Sequence, residues 1–224
     1  MKLTNLLILI NIGFFVIVMS LSPFFVAEKF ETFFINNIAL TPKTFLEHPW
    51  TLITSMFMHV PGYVLPLFSA HLFVNMMSLF FLGSFLERII GRRRFFVLYL
   101  LGGLAGGLLF LGLALLSSDP RIISLSIFAP QTSIISAVGA SAAIFALAGC
   151  LSILVPRIPV LVFFFFPMKL YQAIIFLMIA LSLLPGIANS AHLGGLAAGL
   201  LYGLYLKKKY KRKVFLLNKM LGLR

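Results

Sequence analysis

The sequence predicts an all-α membrane protein with six transmembrane helices, both termini cytoplasmic, and a long outer loop between the first and second spans. Three observations carry that prediction. Hydrophobic residues make up 61% of the 224 and charged residues 10%, whereas soluble domains hold about 45–50% and about 25%, so a soluble globule could not bury this apolar content. Apolar runs able to cross a hydrocarbon layer of about 30 Å recur along the whole length. The formal charge of +13 is gathered into short runs between and after those segments, which is a topology signal and argues against nucleic acid as a partner.

Each element follows from its composition and its breakers. Span one covers residues 3–21; Met1-Lys2 before it resembles a signal peptide, but no small-x-small cleavage site follows, so a retained helix is expected. Ser22-Pro23 ends it, and the outer segment 23–66, with EKFETFF and Trp50, has the aromatic content of the headgroup zone. Spans two and three cover 67–89 and 95–116, bounded by Pro61-Gly62 and Asp119-Pro120. Span four covers 137–155, before Pro156 and Pro159. The stretch RIPVLVFFFFPMK (157–169) reads either as a cytoplasmic-side interfacial loop or as the start of span five, 170–184. After Pro185-Gly186, span six covers 191–206, and residues 207–224 form a basic cytoplasmic tail attracted to anionic headgroups.

Charge fixes the direction. With Lys2 inside and six spans following, the inside segments carry 15 of the 18 basic residues, while Lys29, Lys43 and Arg121 lie outside with four of the five acids. The positive-inside rule then puts both termini in the cytoplasm. The single cysteine, Cys150, excludes an internal disulfide and reads as a small buried hydrophobe.

In this topology spans two, four and six all run from outside to inside. His71, Asn75, Ser141 and His192 therefore start at one depth near the outer face. His71 and Asn75 are spaced i, i+4 and share a helix face. A hydroxyl can pass its proton to an imidazole only at about 2.6–3.2 Å, which demands close helices. Span six repeats glycine at Gly195, Gly199 and Gly203, and span four offers Gly139, Ala142, Ala143 and Ala146, so the two backbones can nearly touch. Asn189 or Ser190 is a plausible N-cap that would set the height of His192. A lone Ser in a membrane helix is usually a packing residue, but an ionisable residue at that depth is by default functional.

The ordered pieces PWTLITSMFMH (49–59), HLFVNMMSLFFLGSFLE (71–87), Gly91, GASAAIF (139–145) and AHLGGLAAG (191–199) resemble the rhomboid family of intramembrane serine proteases. The resemblance implies a six-helix rhomboid bundle, a single membrane domain over 1–224 with its core at roughly 49–206, multi-pass in the cell membrane. It implies a Ser-His dyad of Ser141 and His192, with Asn75, His71 and the Ser141 N–H facing the oxyanion and Gly139 keeping that backbone approachable. The expected substrates are transmembrane proteins embedded with it in the lipid bilayer, cleaved within or near the outer leaflet. No third carboxylate, metal or cofactor is expected.

Three positions depart from the family pattern. Ala142 stands where a glycine usually follows the serine, Phe145 where a tyrosine is common, and 59–71 holds more residues between its histidines than the family usually has. His59 reads as a loop-fixing residue, and LPGIANSA (184–191) as a mobile cap hinged at Gly186. The competing reading is a non-catalytic rhomboid-like protein that binds or escorts membrane clients. A transporter would show repeated halves and a zinc protease H-E-x-x-H, and the chain has neither.

Overall fold

The computed structural model describes residues 1–61, 69–125, 136–162, 165–184 and 186–223. The expected loop-shaping residues 62–68, the middle of the 157–169 stretch at 163–164, and Pro185 of the cap lie outside the described residues. The main helices, numbered here in chain order, are α1 (Leu3–Leu21), α2 (Ala27–Asn37), α3 (Ala70–Ile90), α4 (Arg92–Leu116), α5 (Ser141–Leu154), α6 (Leu170–Ser182), α7 (Asn189–Lys209) and α8 (Lys211–Met220).

Among the described residues, three helices are long and apolar enough to cross a membrane: Leu3–Phe24, Ala70–Ile90 and Arg92–Leu116. Spans four and five are shorter than the sequence predicts, at 14 and 13 residues. Residues 137–140 leave the helix because Ala137 pairs in an isolated antiparallel bridge with Leu40 of the outer segment. Span six is longer, and its last turn takes in Lys207, Lys208 and Lys209.

The all-α expectation needs one correction. Within the 157–169 stretch, β1 (Pro159–Val162) and β2 (Phe166–Lys169) pair antiparallel, with Pro159 opposite Lys169 and Val162 opposite Phe166. Its prolines exclude a helix interior, and Leu170, whose N–H donates to the Ile158 carbonyl at 2.9 Å, starts α6 immediately after it. The tail is also structured, as α8. The Asn218 amide docks α8 by donating to the Leu154 carbonyl at 2.7 Å.

α5 is the centre of the bundle, buried at every position from Ala142 to Leu151. α4 and α7 lie against it through glycine. A side chain at Gly195 or Gly199 would strike the carbonyls of Ala142 and Ala146, and one at Gly203 would come within 3.0 Å of the Cys150 carbonyl. Residue numbers rise together by four on both sides, so α5 and α7 run parallel and locked in register. α4 completes the contact: Gly102 faces the Ala146 methyl, and a side chain at Gly106 would meet the Ala142 methyl at 2.6 Å.

α1 is secured from outside its own sequence. Glu87 of α3 accepts from the Leu3 and Thr4 N–H groups, each at 2.9 Å, and from the Thr4 hydroxyl at 2.7 Å. One carboxylate thus supplies the partners that the first turn of α1 lacks.

Candidate active site

Ser141 is the first residue of α5 and His192 the fourth of α7. Because both helices start at the same end and run in parallel, the two side chains meet: His192 Nε2 and Ser141 Oγ are 2.8 Å apart. The imidazole is 7% exposed and stacks on Phe145, one turn beyond Ser141, with ring centroids 4.7 Å apart and planes at 25°. Its other nitrogen, Nδ1, is buried and has no hydrogen-bond partner among the described residues. Two of the five acids are occupied elsewhere, Glu87 on α1 and Asp119 in an ion pair with Arg121. The contacts that hold the ring are its stacking on Phe145 and its approach to Ser141.

His71 and Asn75 sit on one face of α3, as their spacing predicts. The Asn75 amide donates to the His71 carbonyl at 2.9 Å, while its buried Oδ1 has no partner among the described residues. The Val60 N–H donates to His71 Nδ1 at 3.2 Å, which leaves the hydrogen of the neutral ring on Nε2. That nitrogen points at Gly139. A Cβ there would lie 2.9 Å from His71 Nε2 and 3.6 Å from Ser141 Oγ. The missing side chain is thus the space between the imidazole donor and the hydroxyl. His71 and Asn75 make no hydrogen bond to Ser141 or His192; His71 lies across the Gly139 space from Ser141.

Gly139 has φ of +121°, a conformation open to glycine and costly for other residues. Its N–H donates to the Ser55 carbonyl at 2.8 Å, so the turn before Ser141 is tied to the outer segment. The Ser141 N–H, at the start of α5, belongs to the set that has no intrahelical partner.

Some of the surroundings were not legible as part of the site. His59 is fully buried, its ring edge-on to His71 at 5.1 Å, with Nε2 facing the Ala140 N–H at 3.5 Å. Burial, reinforced by His71, pushes the His59 imidazole down to about 3, so it stands neutral at physiological pH. Gly102 and Gly106 carry the same i, i+4 spacing that marks Gly195, Gly199 and Gly203. Asn189 does not cap α7 by a side-chain bond; its amide instead donates to the Leu181 carbonyl at 3.1 Å, joining the end of α6 to the start of α7. The hinge candidate Gly186 has φ of +73° and open space where a side chain would be.

The family model for the Rhomboid domain matches residues 46–209. The chain is 30% identical over 187 residues to Rhomboid protein 1, mitochondrial, of Saccharomyces cerevisiae, covering 80% of this chain and 48% of that protein. It is 32% identical over 155 residues to RHOMBOID-like protein 1 of Arabidopsis thaliana, covering 69% of this chain and 33% of that one. The chain thus matches less than half the length of either relative. With a domain match over most of its length and an apolar helical bundle to go with it, this chain belongs to the rhomboid family of membrane proteins.

Proposed function

We propose that the chain is an intramembrane serine endopeptidase that hydrolyses transmembrane substrates within or near the outer leaflet. The observation that carries this reading is the 2.8 Å approach of Ser141 Oγ to His192 Nε2 across two helices. As Oγ adds to a peptide carbonyl, its proton passes to Nε2; the tetrahedral intermediate collapses when Nε2–H protonates the departing amine. Water, deprotonated by the same nitrogen, then adds to the acyl carbonyl, and Nε2–H returns the proton to Ser141 Oγ as the Oγ–acyl bond breaks. The oxyanion forms in the space beside Gly139, facing the Ser141 N–H, His71 Nε2–H and the Asn75 amide, and the α5 dipole favours negative charge there.

The depth of the reaction follows from helix length. Fourteen residues rise about 21 Å, against a hydrocarbon layer of about 30 Å. With Leu154 at the inner interface beside Arg157, Ser141 lies roughly 10 Å below the outer boundary. In this reading the bundle has six spans with both termini cytoplasmic, as the charge distribution favours, and resides in the cell membrane. Substrates must unwind locally to present a carbonyl, so helix-weakening residues near the cleaved bond are favoured.

The test is cleavage of a fluorescent single-span substrate in proteoliposomes. Ser141→Ala and His192→Ala are each expected to reduce turnover by at least about 10³-fold. Fluorophosphonate labelling of the unaltered chain is expected to depend on both residues. Undiminished cleavage in Ser141→Ala eliminates the mechanism. Neither cleavage nor labelling in the folded, unaltered chain favours the client-binding alternative.

A further inference from the structure

Beside α1, the C-terminal half of α3 borders a shallow cavity of about 200 Å³ on the flank of the bundle, lined by Lys2, Phe80, Phe81, Ser84, Phe85 and Arg88. Its two ends differ in chemistry. α3 contains a π-helical turn over Leu79–Gly83, and the wider turn sends Leu79 and Gly83 into the core while Phe80 and Phe81 stay 47% and 56% exposed. Their rings meet edge to face at 5.3 Å. At the other end, Ser84 and Arg88 share a helix face at i, i+4, and Lys2 immediately precedes α1.

Among the described residues, Lys2, Ser84 and Arg88 have no side-chain hydrogen bond or ion pair. Glu87, next to Arg88 in sequence, has its carboxylate engaged by Leu3 and Thr4. Two cations and a hydroxyl thus stand unpaired at the rim of an aromatic wall. Arg88 and Phe81 are seven residues apart, about 10 Å along the helix, which is the reach from a headgroup phosphate into the upper acyl chain.

We propose that this notch binds one anionic phospholipid of the surrounding bilayer. Lys2 and Arg88 hold its phosphate, the Ser84 hydroxyl donates to it, and an acyl chain lies along Phe80, Phe81 and Phe85. A zwitterionic lipid presents an ammonium to the same two cations and is disfavoured by like-charge repulsion. The proposal rests on membrane residence, and not on the Ser141–His192 chemistry.

The experiment uses the full chain in phosphatidylcholine vesicles, with Trp50→Phe/Phe81→Trp as a fluorescent reporter and brominated lipid as the quencher. Brominated phosphatidylglycerol is expected to be preferred over brominated phosphatidylcholine by about fivefold or more. Lys2→Gln/Arg88→Gln in the reporter chain is expected to bring the ratio to parity, whereas Lys207→Gln/Lys208→Gln/Lys209→Gln leaves it unchanged. Equal quenching by the two lipids, or a preference that survives Lys2→Gln/Arg88→Gln, overturns the proposal. Loss of the preference in the tail variant overturns it in favour of a diffuse surface charge. Displacement by excess inorganic phosphate overturns it in favour of a free-anion site. Native mass spectrometry of the chain without the reporter changes supplies a second reading: one retained phosphatidylglycerol, lost in Lys2→Gln/Arg88→Gln, is expected, and no selective retention rejects the notch.

Discussion

Gly139 shows how much one absent side chain can do. Its positive φ sets the turn that delivers Ser141 to the head of α5, and its bare Cα leaves open the space between His71 Nε2 and Ser141 Oγ. Gly139→Ala is expected to lower turnover by about 10²-fold, because a methyl fills the space in which the oxyanion would form. Backbone strain is expected to cost about 1–3 kcal/mol of stability, read from thermal unfolding in detergent. Unchanged turnover in a folded variant would mean that the oxyanion forms elsewhere. Ala142, where the family usually carries glycine, also has a local explanation. Its methyl rests over Gly106, whose lack of a side chain makes the room. Phe145 gives His192 a flat face to lie on but no hydroxyl to bond.

At the scale of the helix, glycine decides which surfaces can approach. Gly102→Ala is expected to lower the unfolding midpoint by several degrees, since the new methyl meets that of Ala146. Its other neighbours, the Ala143 and Ala146 Cα atoms, lie at ordinary contact distances of 3.6 and 3.7 Å. Ala146→Gly in the same chain is therefore expected to restore most of the midpoint, and failure of that rescue would place the clash elsewhere. The glycines of span six were legible as a packing ridge because their spacing is periodic. The partner on α4 was equally periodic, but which helix faces which is a tertiary fact that one helix's spacing does not contain. The π-helical turn in α3 and the Glu87 cap on α1 left no local signal: the cap joins residues more than 80 apart.

For the whole molecule, charge and hydropathy made an apolar helical bundle readable, and the parallel α5 and α7 bring Ser141 and His192 together at their first turns. The 14-residue length of α5 was not readable, because residues 137–140 are apolar enough to extend a helix and only the bridge to Leu40 removes them. Orientation has a clean test. The one native cysteine, Cys150, is free and fully buried, so added thiols report with little background. In intact cells a membrane-impermeant maleimide is expected to label Leu46→Cys, at a position 90% exposed, and to label Met220→Cys, at a position 84% exposed, only after permeabilisation. The opposite pattern inverts the proposed topology. The glycine steps along α5 and α7 have one more consequence. A seam indexed every four residues has no intermediate seats: sliding by one notch carries the imidazole a full helical turn from the hydroxyl, about 5.4 Å. Damage to that seam would leave fewer competent molecules, each working at full speed, and not a uniformly sluggish population.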